Sequence, residues 1–192
     1  MAVRQCCPED GDFIAAIAQH RADEEKHYRM FRRWFELQGR KPLALGRGYG
    51  HIDHFVGIVF GVPIDELDTA SVVRERAAFE QLCRVIARTE QRGLEQVKVL
   101  LASPAVTADR VMRRIFTVVH RDEPRHFEPY LDWLARNRLP TSQWRERVAD
   151  WCIHKLLMLW KLPVLFLNPW APRLTEWPDA ADCTPDPRNA GP

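Results

Sequence analysis

The chain has 192 residues, of which 46% are hydrophobic and 28% are charged, and its formal net charge is +2 at pH 7. This length suits one domain of ordinary size, and this composition excludes a disordered protein. The near balance of 28 basic and 26 acidic residues gives no field that would attract a nucleic acid, so we expect no nucleic-acid partner.

The cysteines and the start of the chain bear on the cellular setting. The residues from Met1 to Asp10 contain no apolar run of the kind that marks a secretory signal, so no signal peptide is predicted. The odd number of cysteines and the absence of a CxxC pair fit neither a disulfide framework nor a zinc knuckle. We therefore expect a reducing, cytoplasmic setting. The five cysteines are Cys6, Cys7, Cys83, Cys152 and Cys183.

The apolar residues recur at helical spacing through the long segments, and no segment alternates as a strand would. This pattern predicts an all-α fold. The predicted helices, in chain order, cover residues 13–37, 51–62, 71–102, 107–137 and 148–167. Seven of the 14 prolines lie in the last 30 residues, which predicts a tail that is extended or disordered. We expect a bundle over residues 1–140, an apolar C-terminal helix over 141–168 and a proline-rich tail over 169–192.

An internal repeat provides the main indication of function. The segment Asp23–His27 reads DEEKH, and 99 residues later Asp122–His126 reads DEPRH. The same offset aligns aromatic residues, such as Trp34 with Trp133. Because residues i and i+3 share one face of a helix, each Glu-x-x-His step presents a carboxylate and an imidazole together. One such step is common by chance, whereas two in matched settings are much less so.

The carboxylates of the repeat lie where apolar residues are expected. Glu24 and Glu123 interrupt the apolar stripes of their helices, where burying an unpaired carboxylate costs several kcal/mol. Glu90 interrupts the stripe of the helix over 71–102, and a hairpin turn near Pro104 would bring it level with Glu123. A divalent cation between the helices would neutralise these charges. The alternative is that the glutamates pair with Lys or Arg and that His27 and His126 are ordinary core residues.

These residues resemble the ferritin-like di-iron carboxylate superfamily, in which two single glutamates and two Glu-x-x-His motifs, one per helix, hold the metal. The resemblance covers about residues 13–137 and implies a ferritin-like bundle of antiparallel long helices. It implies bridging roles for Glu24 and Glu123, terminal nitrogen ligands in His27 and His126, and a terminal carboxylate in Glu90. It also implies that Asp23 and Asp122 accept the other imidazole N–H groups of the ligand histidines.

The chain departs from the family at its start, because the first core helix and the fourth glutamate are missing. A shortened chain, a protein that dispenses with that helix, or a partner chain that supplies the carboxylate would each account for this. His20, seven residues before His27 on the same face, could offer a replacement nitrogen, although a polar core residue is the preferred interpretation. Pro124 lies between two expected ligands and predicts a bulge or kink. His51 and His54 are interpreted as surface or capping residues and are left out of the site.

Histidine and carboxylate donors favour iron or manganese. The resemblance implies iron, with two ions per site, and manganese is the alternative metal. The arrangement is similar to the demethoxyubiquinone hydroxylases, which implies an O2-dependent oxidoreductase, a hydroxylase of a small or lipophilic substrate. The alternatives are an iron-handling or peroxide-reducing protein, or a non-catalytic helical remnant with an incomplete metal site. A homodimer is one option. The tryptophans and lysines of the last helix fit either peripheral contact with the inner face of a membrane or packing over the bundle, and packing is preferred.

Overall fold

The computed structural model describes residues 10–43, 50–167 and Arg173. Within them lie eight α-helices, a single 3-10 turn over Ile64–Glu66, and one β pairing, an isolated bridge between Leu43 and Arg173. The predicted all-α fold is therefore confirmed for this part of the chain. The helices are α1 (Gly11–Leu37), α2 (His51–Phe60), α3 (Thr69–Arg74), α4 (Arg76–Ala102), α5 (Pro104–Ala108), α6 (Arg110–Asp122), α7 (Pro124–Arg136) and α8 (Trp144–Leu167).

The helix ends follow from local chemistry. Asp10 caps α1 by accepting a hydrogen bond from the backbone N–H of Phe13 at 3.1 Å. Asp68 and Asp109 cap α3 and α6 in the same way. Gly61 ends α2 with a φ of 76°, a left-handed conformation that glycine adopts without steric cost.

The core of the bundle is formed by α1, α4 and the pair α6–α7, and α6–α7 contacts both of the others. Near one end of the bundle, Phe13 of α1 stacks on Trp133 of α7. Near the other end, the indole N–H of Trp34 donates to Asp109, just before α6, at 2.8 Å. Phe79 at the start of α4 also packs on Trp133. Since the numbering runs in opposite directions along each pair, α6–α7 is antiparallel to both α1 and α4.

The long helix predicted over residues 107–137 is divided at Glu123. That residue keeps helical dihedral angles, with φ −50° and ψ −43°. Pro124 has no backbone N–H to donate to His120, and the N–H of His126 donates to the carbonyl of Glu123 at 2.9 Å. The proline therefore divides the helix and tightens it over one turn, while the backbone of Glu123 stays helical. A second break, at Glu75, divides the helix predicted over 71–102, and nothing in the sequence there explains it.

The C-terminal helix packs on the bundle through α2 and α4. A cluster of buried apolar residues joins these elements, comprising Phe55 and Val56 of α2, Val85 of α4, and Ile153 and Leu157 of α8. Two ion pairs add to this contact and join Arg84 to Glu146 and Arg92 to Asp150. Among the described residues, no helix combines the length and the apolarity needed to cross a membrane. The tail predicted over 169–192 lies outside the described residues except for Arg173.

Candidate metal site

Four side chains from three helices converge in the middle of the bundle. They are His20 and Glu24 of α1, Glu90 of α4 and His126 of α7. Each offers one nitrogen or oxygen atom, and these four atoms all lie within 4.8 Å of one another. Residues four apart on α1 share a face, so the helix itself aligns His20 with Glu24. Two carboxylates and two imidazoles so arranged form a donor set suited to a transition metal.

His126 lies at the centre of this group and is completely buried. Its Nδ1 atom is 3.1 Å from Glu24 Oε1, 3.8 Å from Glu90 Oε2 and 3.9 Å from Glu123 Oε2. Neither ring nitrogen makes a hydrogen bond within the described part of the chain, because the contact with Glu24 lacks the required geometry and the other contacts are longer than 3.5 Å. Three carboxylates from three helices therefore surround one imidazole that lacks a well-directed partner.

Glu24 connects the two histidines of the repeat. Its Oε1 atom is 3.5 Å from His27 Nδ1 as well as 3.1 Å from His126 Nδ1. The apolar stripe of α1 predicted a buried carboxylate, but 53% of the Glu24 side chain is exposed. The difference arises because α6 and α7 cover one side of α1, and Glu24 reaches the imidazoles from the edge of that contact.

Glu123 approaches the group from the break between α6 and α7 and is buried. Its Oε2 atom has no hydrogen-bond partner among the described residues. Gly93 of α4 faces it, and a Cβ atom added to that glycine would lie 3.4 Å from Glu123 Oε2. A single methyl group at Gly93 would therefore make ordinary contact with the carboxylate, which shows that Glu123 packs directly against α4. Glu90 and Glu123 lie at the same depth in the bundle, as the predicted hairpin requires, because both carboxylates lie within 4 Å of His126 Nδ1.

His20 is the residue that sequence reasoning placed outside the site. Its ring stacks on that of His126 with centroids 4.3 Å apart, and its Nε2 atom is 3.7 Å from Glu90 Oε1. Its Nδ1 atom is 3.3 Å from the hydroxyl of Tyr130, which orients the ring. The available signal was the spacing to Glu24, four residues along the same helix face. His20 lies on the Glu90 side of the group, away from His27.

The two aspartates of the repeat contact the histidines crosswise. His27 Nε2 is 3.3 Å from Asp122 Oδ2, and His126 Nε2 is 3.6 Å from Asp23 Oδ2. Each imidazole therefore turns Nε2 toward the aspartate of the other motif. In both rings this leaves Nδ1 facing Glu24. The resemblance implied aspartate–histidine contacts, and the crossed pairing is a finding of the structure.

The basic residues of the repeat pair with these aspartates. Lys26 Nζ lies 2.5 Å from Asp23 and 2.6 Å from Asp122. Arg125 lies 2.5 Å from Asp122 and 3.1 Å from Asp23. Burial opposes ionisation of Asp122, but hydrogen bonds from Lys26, Arg121 and His27 outweigh it and hold its pKa below the usual range. In the described part of the chain, the cations neutralise the aspartates, while the ion-pair contacts of Glu24 and Glu123 are to histidines.

Several carboxylates lie close together in this group, where the pKa values of Glu123 and His126 are raised. Burial, together with the nearby charges of Glu90 and Glu24, raises the pKa of Glu123 to about 7. Burial disfavours the protonated ring of His126, but the carboxylates of Glu24 and Glu90 outweigh this and raise its pKa to about 10. Without a metal ion, a proton on His126 supplies the positive charge that these carboxylates need.

The raised pKa values of Glu123 and His126 predict how the free energy of unfolding depends on pH. Both pKa values are higher in the folded chain than the ordinary values of 4.5 for Glu123 and 6.5 for His126. The folded state therefore holds more protons than the unfolded state, and the free energy of unfolding of metal-free protein should fall as pH rises. The contribution of His126 is fully present below pH 6.5 and is lost as pH rises through about 10.

Urea unfolding of chelator-treated protein at several pH values between 5 and 10 measures this dependence. His126→Gln should flatten the decline above pH 7, because glutamine does not titrate. A free energy of unfolding that increases over this range in the unmodified chain would contradict the expected charge state of His126.

His51 lies outside this group, in agreement with its exclusion from the predicted site. Its Nε2 atom is 3.0 Å from Asp150 Oδ1 of α8. Asp150 also pairs with Arg92 of α4. Burial opposes ionisation of Asp150, but His51 and Arg92 lower its pKa to about 2. The contact therefore helps to fasten α2 and α8 to α4.

The chain matches no protein-family model, no curated protein and no solved structure. The family resemblance therefore rests on the residues of the repeat and on Glu90.

Proposed function

We propose that this protein binds iron between α1, α4 and α6–α7 and acts as a di-iron, O2-dependent oxidoreductase, most simply a hydroxylase of a small or lipophilic substrate. The observation that carries the proposal is the group of His20, Glu24, Glu90 and His126, whose donor atoms lie within 4.8 Å of one another. Mixed imidazole and carboxylate ligands favour iron or manganese over calcium, and the lack of thiolates disfavours a structural zinc site.

The side chains fit a bound cation. Glu123 Oε2, His126 Nδ1 and His126 Nε2 are buried and have no hydrogen-bond partner in the residues described. A buried polar atom without a partner costs about 1–3 kcal/mol, so a native protein rarely keeps several in one place. A metal ion at Nδ1 and at the carboxylates would satisfy two of these atoms. The third, His126 Nε2, faces Asp23 Oδ2 at 3.6 Å, the position of an outer partner that orients a ligand imidazole.

Two ions would divide the donors in a simple way. One ion would take His20, Glu24, Glu90 and His126, whose donor atoms converge. The second ion that the resemblance implies would have to draw on His27 and Glu123, with Glu24 shared because it contacts both histidines. Iron bound in this way supplies one-electron and dioxygen chemistry. The chain's own part is to hold the donors, to fix each imidazole with Nδ1 inward, and to bury His126 and Glu123 away from water.

A second candidate is an iron-handling protein of the same ferritin-like kind. The exposure of Glu24 favours it, because a half-exposed carboxylate at the edge of the site gives ions a route in and out. In this case the same residues bind iron, and no organic substrate is required.

Metal content tests the proposal. Full-length protein purified anaerobically and loaded with Fe²⁺ should bind two ions per chain by elemental analysis, and exposure to O2 should oxidise them. A cage-sized assembly that accumulates many ions per chain would favour iron handling. Protein that retains no iron, manganese or zinc after loading and desalting would contradict metal binding and would favour a non-catalytic helical remnant.

The crossed aspartates give a separate prediction. Asp122→Asn keeps the size of the side chain but removes the charge that faces His27 Nε2 at 3.3 Å. Loss of such an outer partner typically weakens metal binding about 10–100-fold, and we expect a loss in that range. Competition with a chelator of known affinity measures it. Asp132→Asn on the exposed side of α7 is the matched control and should bind metal like the unmodified chain. Equal affinities for the two variants would show that Asp122 does not orient a ligand.

A further inference from the structure

The outer face of α8 carries a concentrated apolar surface. Half of the exposed large hydrophobic residues in the described part of the chain lie on this one helix, and each of these six is at least 50% exposed. They are Trp144, Val148, Trp151, Leu156, Leu159 and Trp160. We call this set the α8 face. Large apolar residues concentrated on the exposed surface of one helix normally mark an interaction site.

The two sides of α8 are clearly separated. Glu146, Asp150, Ile153 and Leu157 are buried and recur at spacings of three or four residues, so they form one stripe against the bundle. Trp144, Val148, Trp151 and Leu159 follow one another at spacings of four, three and eight residues, which places them together on the opposite side. Since the buried stripe is already satisfied by α2 and α4, the α8 face has no role in holding the helix to the bundle.

The charges of α8 are divided in the same manner. Its two acidic residues, Glu146 and Asp150, are both buried in ion pairs with Arg84 and Arg92 of α4. Basic residues remain outside, because Arg145, Arg147 and Lys155 are exposed. Arg145 also lies over the ring of Trp144, with its guanidinium carbon 5.6 Å from the ring centroid. The exposed side of α8 therefore carries apolar and basic side chains and no acidic ones.

We propose that the α8 face binds in the plane of an anionic lipid membrane. Tryptophans prefer the headgroup level of a bilayer, and basic side chains beside an apolar helix face are attracted to anionic lipids. A second copy of this chain would bring more basic residues to this face and no exposed acidic residue of α8 to pair with them, which disfavours self-association through it. Membrane binding by the α8 face requires no bound metal, so its test is separate from every test of metal binding.

Sedimentation with vesicles tests it. The full chain should bind vesicles of phosphatidylcholine mixed with phosphatidylglycerol, bind vesicles of phosphatidylcholine alone much more weakly, and lose affinity as salt is added. Trp151→Ser combined with Leu159→Ser should lower the partition coefficient for the mixed vesicles at least about tenfold, because two large apolar side chains no longer enter the bilayer. Arg147→Glu combined with Lys155→Glu should also weaken binding to the mixed vesicles.

The matched control is Ile58→Ser combined with Val99→Ser, which removes two exposed apolar residues from α2 and α4. It should bind vesicles like the unmodified chain. Circular dichroism should show the same helix content in all variants, because every substituted residue is exposed. Absence of vesicle binding by the unmodified chain, or equal loss in the control, would overturn the proposal. So would a dimer, detected by light scattering, that Trp151→Ser and Leu159→Ser dissociate without any change in vesicle binding.

Discussion

Replacing His126 by alanine should abolish metal uptake while leaving the helix content nearly unchanged. His126 is the residue that three carboxylates approach, with Nδ1 between 3.1 and 3.9 Å from Glu24, Glu90 and Glu123. Loss of an outer partner of a ligand weakens metal binding about 10–100-fold, so loss of the ligand itself should cost more than about 100-fold. Glu123→Ala should have the same effect, because its carboxylate is buried beside His126.

Elemental analysis after iron loading and far-ultraviolet circular dichroism measure the two outcomes. His120→Ala is the matched control, because His120 is a partly buried histidine on α6, six residues away, and is absent from the group. Its metal content should equal that of the unmodified chain. If His126→Ala retains its iron, His126 is not a metal ligand and the proposed site is incorrect. If it loses helix content and metal together, His126 is a core residue whose loss unfolds the bundle.

Replacing Glu146 by alanine should produce the largest loss of stability. The N–H of Arg84 Nε donates a bifurcated hydrogen bond to both oxygens of the carboxylate, at 2.8 and 3.0 Å, and only 5% and 8% of the Arg84 and Glu146 side chains are exposed. Removing one partner leaves a buried, uncompensated guanidinium, which typically costs about 3–5 kcal/mol. Urea unfolding measures the free energy of unfolding, and we expect a decrease within that range.

Two further variants test whether the loss of stability comes from the buried, unpaired charge of Arg84. Glu95→Ala removes an exposed carboxylate 3.6 Å from Arg92, and it should change the free energy of unfolding by less than about 1 kcal/mol. Arg84→Met combined with Glu146→Leu removes both charges and should recover most of the stability lost in Glu146→Ala. A cost below about 1 kcal/mol for Glu146→Ala would show that water reaches Arg84 and that α8 is held mainly by its apolar stripe.

Helical periodicity and the residues at helix ends were sufficient to predict which segments are helical, but not the breaks within two of them. Asp10 at the start of α1 and Ser103 before Pro104 mark boundaries that the structure also has. The break at Glu75 could not be predicted, since neither proline nor glycine lies there. Pro124 signalled a disturbance, but a sequence cannot show whether a proline kinks a helix or is absorbed, because neighbouring helices decide that.

The spacing of residues along a helix predicted the site residues better than their expected burial did. The Glu-x-x-His steps and Glu90 were found because residues three or four apart share a face. The exposure of Glu24 was missed, since an apolar stripe does not reveal how much of it other helices cover. His20 was underrated because its closeness to Glu90 and His126 depends on how the helices are packed, which the sequence does not specify.

The crossed contacts between Asp23 and His126 and between Asp122 and His27 make the two halves of the repeat interdependent. Each half supplies the aspartate that faces the imidazole of the other half, so a substitution of Asp23 should disturb His126 and a substitution of Asp122 should disturb His27. A change on one helix is thereby passed to a proposed ligand on its neighbour.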